Sequence, residues 1–332
     1  MVITRTPFRI SFFGGGSDYP TWYENNGGGA VLSTSINKYC YISCRKLPPF
    51  FEHKSRVVWS RIESVNDVEE IQHPSVRETL KFTGMQEGVE IHHDADLPAR
   101  SGLGSSSSFT VGLLHALYAL QGKIATKRQL ATDAIHIEQT RIKENVGSQD
   151  QTVAAFGGFN KITFGGPHKI NVHPMPLSGE RSNVLQDHLM LFFTGLSRNA
   201  SEIAGEQIRT MAEKKQEIKT MMEMVDEAIA ILSGNRNIDE FGKLLHESWS
   251  IKRNLTGKIS SSVIDEIYAA GRSAGALGGK LLGAGGGGFI VFFAKPEIQP
   301  ALKEKLGNLL HVPFRFENLG SQIIYYGPEN SF

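Results

Sequence analysis

The stretch Leu97–Phe109, LPARSGLGSSSSF, places glycines at 102 and 104 ahead of four consecutive serines, and an apolar run of helical period begins directly behind them. A glycine-rich turn that opens a helix aims several backbone N–H groups at one point, and the helix dipole adds partial positive charge there. Gly102 and Gly104 permit backbone conformations that a side chain would obstruct, while Ser105, Ser106 and Ser107 carry hydroxyls that can donate to phosphate or ligate Mg²⁺. Two readings fit this stretch: a serine-rich helix cap, or a cradle for an anion. Four serines exceed what a cap needs, and no G-K-[ST] follows, so the stretch is not the common P-loop.

Other residues add possible chemistry. In TKRQLATDAIHIEQTRIKEN, the positions Ala131, Ala134, Ile135, Glu138 and Ile142 share one face of a helix, which sets Glu138 in the middle of an apolar stripe. A carboxylate so placed needs a partner, either an Arg or Lys in a structural ion pair or a cation shared with a serine hydroxyl such as Ser106. Twelve residues on, in NVGSQDQTVAAFGG, Asp150 precedes a small apolar segment. It can cap the helical turn that follows or accept a proton from a substrate hydroxyl. At the N-terminus, RTPFRISFFGGGSDYP sets Arg5, Arg9 and Ser11 along a strand that ends in a glycine triplet. Gly15 and Gly16 let a ligand or another strand approach the backbone, and Asp18 can accept hydrogen bonds from sugar hydroxyls. Near the other end, KLLGAGGGGF, with Gly285 and Gly286, is either a hairpin turn or a second side-chain-free loop at a site.

The elements that must position these groups follow from periodicity. VITRTPFRISF, AVLSTSINKYCYISCRK and VEIHHDADL read as strands, and from about Ser105 the period changes to that of a helix ending at Gln121-Gly122. Thr126 with Gln129 forms a capping box for a second helix running to about Asn145. Pro174, Pro176 and the polar segment PLSGERSN mark a domain boundary, giving domains 1–175 and 176–332. The second half opens with the buried strand LMLFFTG, continues through a helical region from about Asn199 to Leu232, and ends in a glycine turn feeding FIVFF. His92 and His93, on an alternating strand, are expected to pack rather than catalyse.

A length of 332 residues with 40% apolar content suits two domains, and 35 Lys and Arg against 34 Asp and Glu leave no global field to attract nucleic acid or a membrane surface. No stretch approaches the roughly 18 apolar residues of a membrane span. Cys40 and Cys44, too close along one strand for an obvious bridge, read as reduced thiols and suit the cytoplasm. Nothing in the sequence decides between a monomer and a homodimer. No G-x-G-x-x-G follows a strand with an acidic residue about 20 positions on, which argues against a dinucleotide-dependent oxidoreductase.

In their order and separations, RTPFRISFFGGGSDY, LPARSGLGSSSSF, Glu138 with GSQDQ, and KLLGAGGGGF resemble the motif series of the GHMP kinases, the superfamily of galactokinase, homoserine kinase, mevalonate kinase and phosphomevalonate kinase. The resemblance implies an α+β fold of two domains: an N-terminal α/β domain like the second domain of ribosomal protein S5, and a C-terminal ferredoxin-like α+β domain, with the active site between them. It also implies ATP phosphates on Ser101–Ser107, Mg²⁺ on Ser106 and Glu138, proton acceptance by Asp150, and Arg9 beside the reacting hydroxyl. Arg5, Ser11, Gly15, Gly16, Asp18, Gly285 and Gly286 are the implied substrate contacts.

The wording RISFFGGGSDYP is most similar to the bacterial branch that phosphorylates the anomeric C1 hydroxyl of D-glycero-D-manno-heptose 7-phosphate, on the way to nucleotide-activated heptose. The alternatives are another sugar 1-kinase, acting on L-fucose or galactose, or a non-catalytic nucleotide-binding regulator of the same fold. A substrate phosphate would need a basic clamp, for which Arg5, Lys38, Arg45 and Arg198 are the candidates. Two positions depart from the family pattern. Ser107 and Ser108 stand where alanines are common, and Phe289, where a smaller residue is frequent, is expected to narrow the cleft.

Overall fold

In the computed structural model, residues 1–166, 169–196 and 200–327 are described. The first sheet grows from two long strands, β1 (Val2–Phe13) and β2 (Gly29–Lys46), paired antiparallel from Val2 opposite Cys44 to Phe13 opposite Leu32. Pro7 cannot donate to the ladder, and the register shifts between Pro7 and Phe8. A second shift, between Ser11 and Phe13, falls where β1 approaches its glycine triplet. The other strands of this half are β3 (Ser55–Val58), β4 (Ile62–Val65), β5 (Val89–Ala95), β6 (Phe159–Phe164) and β7 (Ile170–Pro174).

The second sheet contains β8 (Leu189–Phe193), β9 (Gly278–Leu281), β10 (Phe289–Phe293) and β11 (Leu310–His311), in the antiparallel order β11-β8-β10-β9. That is the 4-1-3-2 order of a ferredoxin-like sheet. The chain leaves the first sheet after Pro174, beside the expected boundary, and returns to it late: β12 (Phe316–Glu317) pairs with β2, and β13 (Gln322–Tyr326) pairs with β1. The first sheet therefore has nine strands among the described residues, and its two last ones come from the far end of the chain.

The helices are α1 (Pro20–Tyr23), α2 (Pro74–Thr83), α3 (Ser105–Leu120), α4 (Lys127–Ile135), α5 (Gln149–Phe156), α6 (Gly179–Asp187), α7 (Ala200–Thr210), α8 (Lys215–Ser233), α9 (Asp239–Lys252), α10 (Ser262–Ser273) and α11 (Gln299–Lys305). Among the described residues no helix is long and apolar enough to cross a membrane. Apolar side chains cover most faces of α3, and twelve of its residues are buried as it packs on β1 and β2. The expected helix from 126 to 145 is shorter. Thr126 caps it by accepting from the Gln129 N–H at 3.1 Å, but after Ile135 the turn widens, so that the Ile142 N–H reaches Ile137 O, five residues back. The expected helical region 199–232 is likewise two helices, α7 and α8. Cys40 and Cys44 are not joined by a disulfide and are buried at positions that share a face of β2.

The two halves share a core: Phe12 and Phe13 at the end of β1 meet the Phe241 ring of α9 edge-on at 5.5 and 5.2 Å. Helix α9 lies so close to β9 that a Cβ on Gly278 would sit 1.9 Å from Gly242 O. Gly278→Ala should therefore cost about 2 kcal/mol by forcing α9 off the sheet, measured by urea unfolding. Wild-type stability in that variant would show that the approach is not required.

Candidate active site

The site lies where the end of β1, the glycine-serine loop, the first turn of α5 and the end of α9 converge. Arg9, only 4% exposed, is its hub. Its backbone N–H donates to Leu103 O at 3.0 Å, and its guanidinium donates to Gly102 O at 2.6 Å, which ties the loop to β1. The remaining face of the guanidinium grips Asp150 in a two-point pair, Nε to Oδ1 at 2.8 Å and Nη2 to Oδ2 at 2.7 Å. Planar two-point geometry fixes the carboxylate in orientation as well as position. Asp150 stands in the first turn of α5, so it is both a helix-start acid and a cleft-facing carboxylate, its side chain one-quarter exposed.

The loop itself is shaped by glycine. Gly102 (φ +80°) and Gly104 (φ +76°) are left-handed, and a Cβ on Gly102 would come within 2.4 Å of Leu282 O. This close approach explains the second glycine cluster: Gly283 packs on Gly102, and the Phe289 N–H donates to Ser101 O at 3.1 Å. Gly283 and Ala284 line the cleft, whereas Gly285 and Gly286, expected at the substrate, turn toward Ile259, with the Gly286 N–H donating to Ile259 O. Phe289 is buried in β10 against Phe193, so it does not narrow the cleft.

Ser105, Ser106 and Ser107 line the cleft, Ser107 almost fully buried. The widened turn after α4 carries Glu138 to a fully buried position between α3 and α5. There its Oε2 accepts from Ser107 Oγ at 2.9 Å and from Gln151 Nε2. The hydroxyl expected to share a cation with Glu138 was that of Ser106; the one in contact is that of Ser107, one residue deeper on the same turn. No Arg or Lys pairs with Glu138 among the described residues, so the ion-pair alternative is not realised. Burial pushes its carboxyl up to about 7 despite the hydroxyl and amide donors around it, and among the described residues Oε1 has no hydrogen-bond partner. An orphaned, buried carboxylate oxygen beside serine hydroxyls fits a divalent cation, which takes one or two carboxylates and completes its shell with phosphate oxygens and water.

On the opposite wall, Asp18 is 3% exposed and accepts from the Gly16 N–H at 3.0 Å; a Cβ on Gly147 would collide with its carboxylate. Burial and then repulsion from Asp150 raise its pKa above the usual carboxylate range. Gly15, Gly16 and Ser11 line the cleft, and the Ser11 hydroxyl is buried without a partner. Arg5, expected at the substrate, does not line the cleft: its guanidinium lies over the Tyr39 ring at 4.6 Å, and it stands four residues, an even number, from Arg9 with the Pro7 register shift between them. Arg45 pairs with Glu90 outside the cleft, Lys38 does not line it, and Arg198 lies outside the described residues. His92 and His93 pack as expected, against Glu90 and Phe109.

Sequence reasoning missed two cations here. Lys252, the last residue of α9, is 7% exposed, and its Nζ donates to Gly283 O at 2.6 Å. Lys280 is 3% exposed and donates to Ser11 O and Phe12 O. A signal was present: Leu245, Trp249 and Lys252 follow at four- and three-residue spacing, the same polar intrusion into an apolar stripe that singled out Glu138.

Residues 71–158 match the GHMP kinases N terminal domain and residues 227–311 the GHMP kinases C terminal domain, together just over half of the chain. The chain belongs to the GHMP kinase family. Members of this family are phosphotransferases with an alcohol group as acceptor and ATP as donor. The kinase is 27% identical to the D-glycero-alpha-D-manno-heptose 7-phosphate kinase of Campylobacter jejuni, over 96% of this chain and 98% of that one. It is 23% identical to the galactokinase of Thermotoga maritima, over 98% and 97%. Among solved structures it superposes on a D-glycero-D-manno-heptose 1-phosphate kinase from Bacteroides thetaiotaomicron with a TM-score of 0.76 at 24% identity, over 98% of this chain and all of that one. Lactococcus lactis galactokinase gives 0.70 at 18% identity, over 97% and 94%. At these identities the structural likeness is one of fold.

Burial, and secondly Arg9, lower the Lys252 ammonium to about 8 from the ordinary 10.5. A folded-state value below the unfolded one means that the charge opposes folding below pH 8, and that this penalty fades as pH rises toward 10.5. Lys252→Met should therefore be more stable than the wild-type kinase at pH 7, by about 2 kcal/mol after the lost Gly283 bond is counted. The difference should close near pH 10 in urea melts, and a variant less stable at pH 7 would contradict an uncompensated buried charge.

Proposed function

We propose that this kinase transfers the γ-phosphoryl group of ATP to the anomeric C1 hydroxyl of a sugar, D-glycero-D-manno-heptose 7-phosphate in first place. The observation that carries the reading is the Asp150 carboxylate, held at the cleft wall by a two-point pair with Arg9 and adjacent to the glycine-serine loop. In this reading the sugar lies between Asp18 and Asp150, with its reacting hydroxyl within hydrogen-bond reach of Asp150. Asp150 accepts the proton as the oxygen attacks. Arg9 keeps the carboxylate aimed and, with the loop N–H groups at the start of α3, offsets charge that spreads over the phosphoryl oxygens.

Ser105 and Ser106 hydroxyls take phosphate oxygens from the cleft side. Glu138, with Ser106 and Ser107, would hold Mg²⁺, which when bound would screen the phosphate charge. The glycines at 15 and 16 leave room at the sugar end, which suits an acceptor longer than a free hexose. The similarity to the Campylobacter jejuni enzyme over nearly the whole of both chains supports the heptose choice.

The test is a panel of free sugars and sugar phosphates assayed for ATP-dependent phosphorylation, with NMR locating the new ester. A new ester at C1 of heptose 7-phosphate is expected; preference for free galactose or L-fucose would displace the substrate but keep the kinase. In Asp150→Asn, kcat should fall about 10²–10⁴-fold with ATP affinity nearly unchanged. Undiminished turnover there would remove Asp150 from its role.

A further inference from the structure

We infer that Lys252 is the residue that grips an anionic group carried by the acceptor itself, which makes the kinase selective for phosphorylated over free sugars. The inference rests on the sugar-kinase reading and assigns its missing basic clamp. The sequence offered Arg5, Lys38, Arg45 and Arg198 for that duty, and none of the three described ones lines the cleft. Of the cleft cations, Arg9 is spent on Asp150 and Gly102, and Lys280 on the two carbonyls at the end of β1. Arg100 sits exposed on the glycine-serine loop, on the phosphate-donor side.

Lys252 differs from all of these. Among the described residues its Nζ donates to Gly283 O alone, which uses one of the three N–H donors of an ammonium. In front of it lie Gly15 and Gly16. A Cβ built on Gly15 meets a single heavy atom within 4 Å, Lys252 Nζ at 3.8 Å, and a Cβ on Gly16 meets nothing. Gly15 and Gly16 thus open a space with a buried cation at its back. The charges that act on Lys252 are Arg9 on β1, Asp18 on the following turn and Asp150 on α5, with Lys280 of β9 alongside. Two cations and two carboxylates that largely offset each other leave the ammonium itself to meet an anion. A buried charge without a close counter-ion is costly to keep, and an arriving phosphate would relieve that cost. The ammonium pKa, lowered by burial and then by Arg9, agrees with a site that receives an anion.

The decisive experiment is calorimetric binding, without nucleotide, of matched pairs: heptose and heptose 7-phosphate, mannose and mannose 6-phosphate. Wild-type enzyme should bind a phosphorylated member about 10- to 100-fold more tightly than its free partner. Lys252→Met should erase that preference, Lys252→Arg should retain part of it, and KM for ATP should stay unchanged in both. The inference fails if no phosphorylated sugar binds better than its partner, or if Lys252→Met keeps the preference. It also fails if Lys252→Met lowers kcat equally on free and phosphorylated sugars with binding intact, since Lys252 would then serve the transferring group. Lys252-dependent binding without turnover would leave the clamp standing and sink the kinase reading; turnover of free sugars without any phosphate preference would do the reverse.

Discussion

One guanidinium holds this site together. Arg9 is anchored through its own β-strand, and from that position it binds the carbonyl of Gly102 and the carboxylate of Asp150. The loop that begins α3 and the turn that begins α5 are 46 residues apart in the chain, counted from Gly104 to Asp150, and have no common element of their own. Arg9 is their shared support. Because it is almost fully buried, its charge is satisfied only by this geometry, so that displacing any one partner leaves a desolvated cation behind. The cost of that misplacement keeps phosphate loop and carboxylate in register.

The rest of the architecture serves this junction. Twin glycine clusters, at 102–104 and 283–288, let backbone from the two halves meet at distances no side chain allows, so the cleft wall is continuous across the halves. Helix α9 reaches the same place from the second sheet because Gly242 and Gly278 remove the side chains between them. The aromatic contacts of Phe12 and Phe13 with Phe241 lock the angle at which α9 arrives. With both ends of the chain in one sheet, through β1 and β13, the two halves are joined by more than the single passage after Pro174.

Charge explains why the cleft is strained as well as ordered. Asp18 and Glu138 are carboxyls pushed up by burial, and Lys252 and Lys280 are ammonium groups pushed down. In the proposed reading the opposite charge reaches Lys252 as the acceptor's anionic group and Glu138 as a divalent cation. Stability given up in burying these groups is available as binding energy when that charge arrives.

The sequence by itself determined much of this. Local signals are short-range: glycine where φ is positive, serine behind it at a helix start, and a carboxylate breaking an apolar stripe are properties of adjacent residues, and they located Gly102–Ser107, Glu138 and Asp150. Strand and helix periods marked β1, β2, β5, β8, β10 and α3 by the same reasoning, while the division into two α+β domains came from the family resemblance. Tertiary structure alone decided the pairings. A widened turn from His136 to Arg141 carries Glu138 into contact with Ser107 and Gln151, and periodicity counted at 3.6 residues per turn does not register such a turn. The shift at Pro7 and the course of β1 take Arg5 to Tyr39 and away from Arg9. Lys252 and Lys280 become cleft residues only because α9 and β9 are folded against β1 from more than 230 residues away, and contacts of that range depend on packing, which no local pattern encodes.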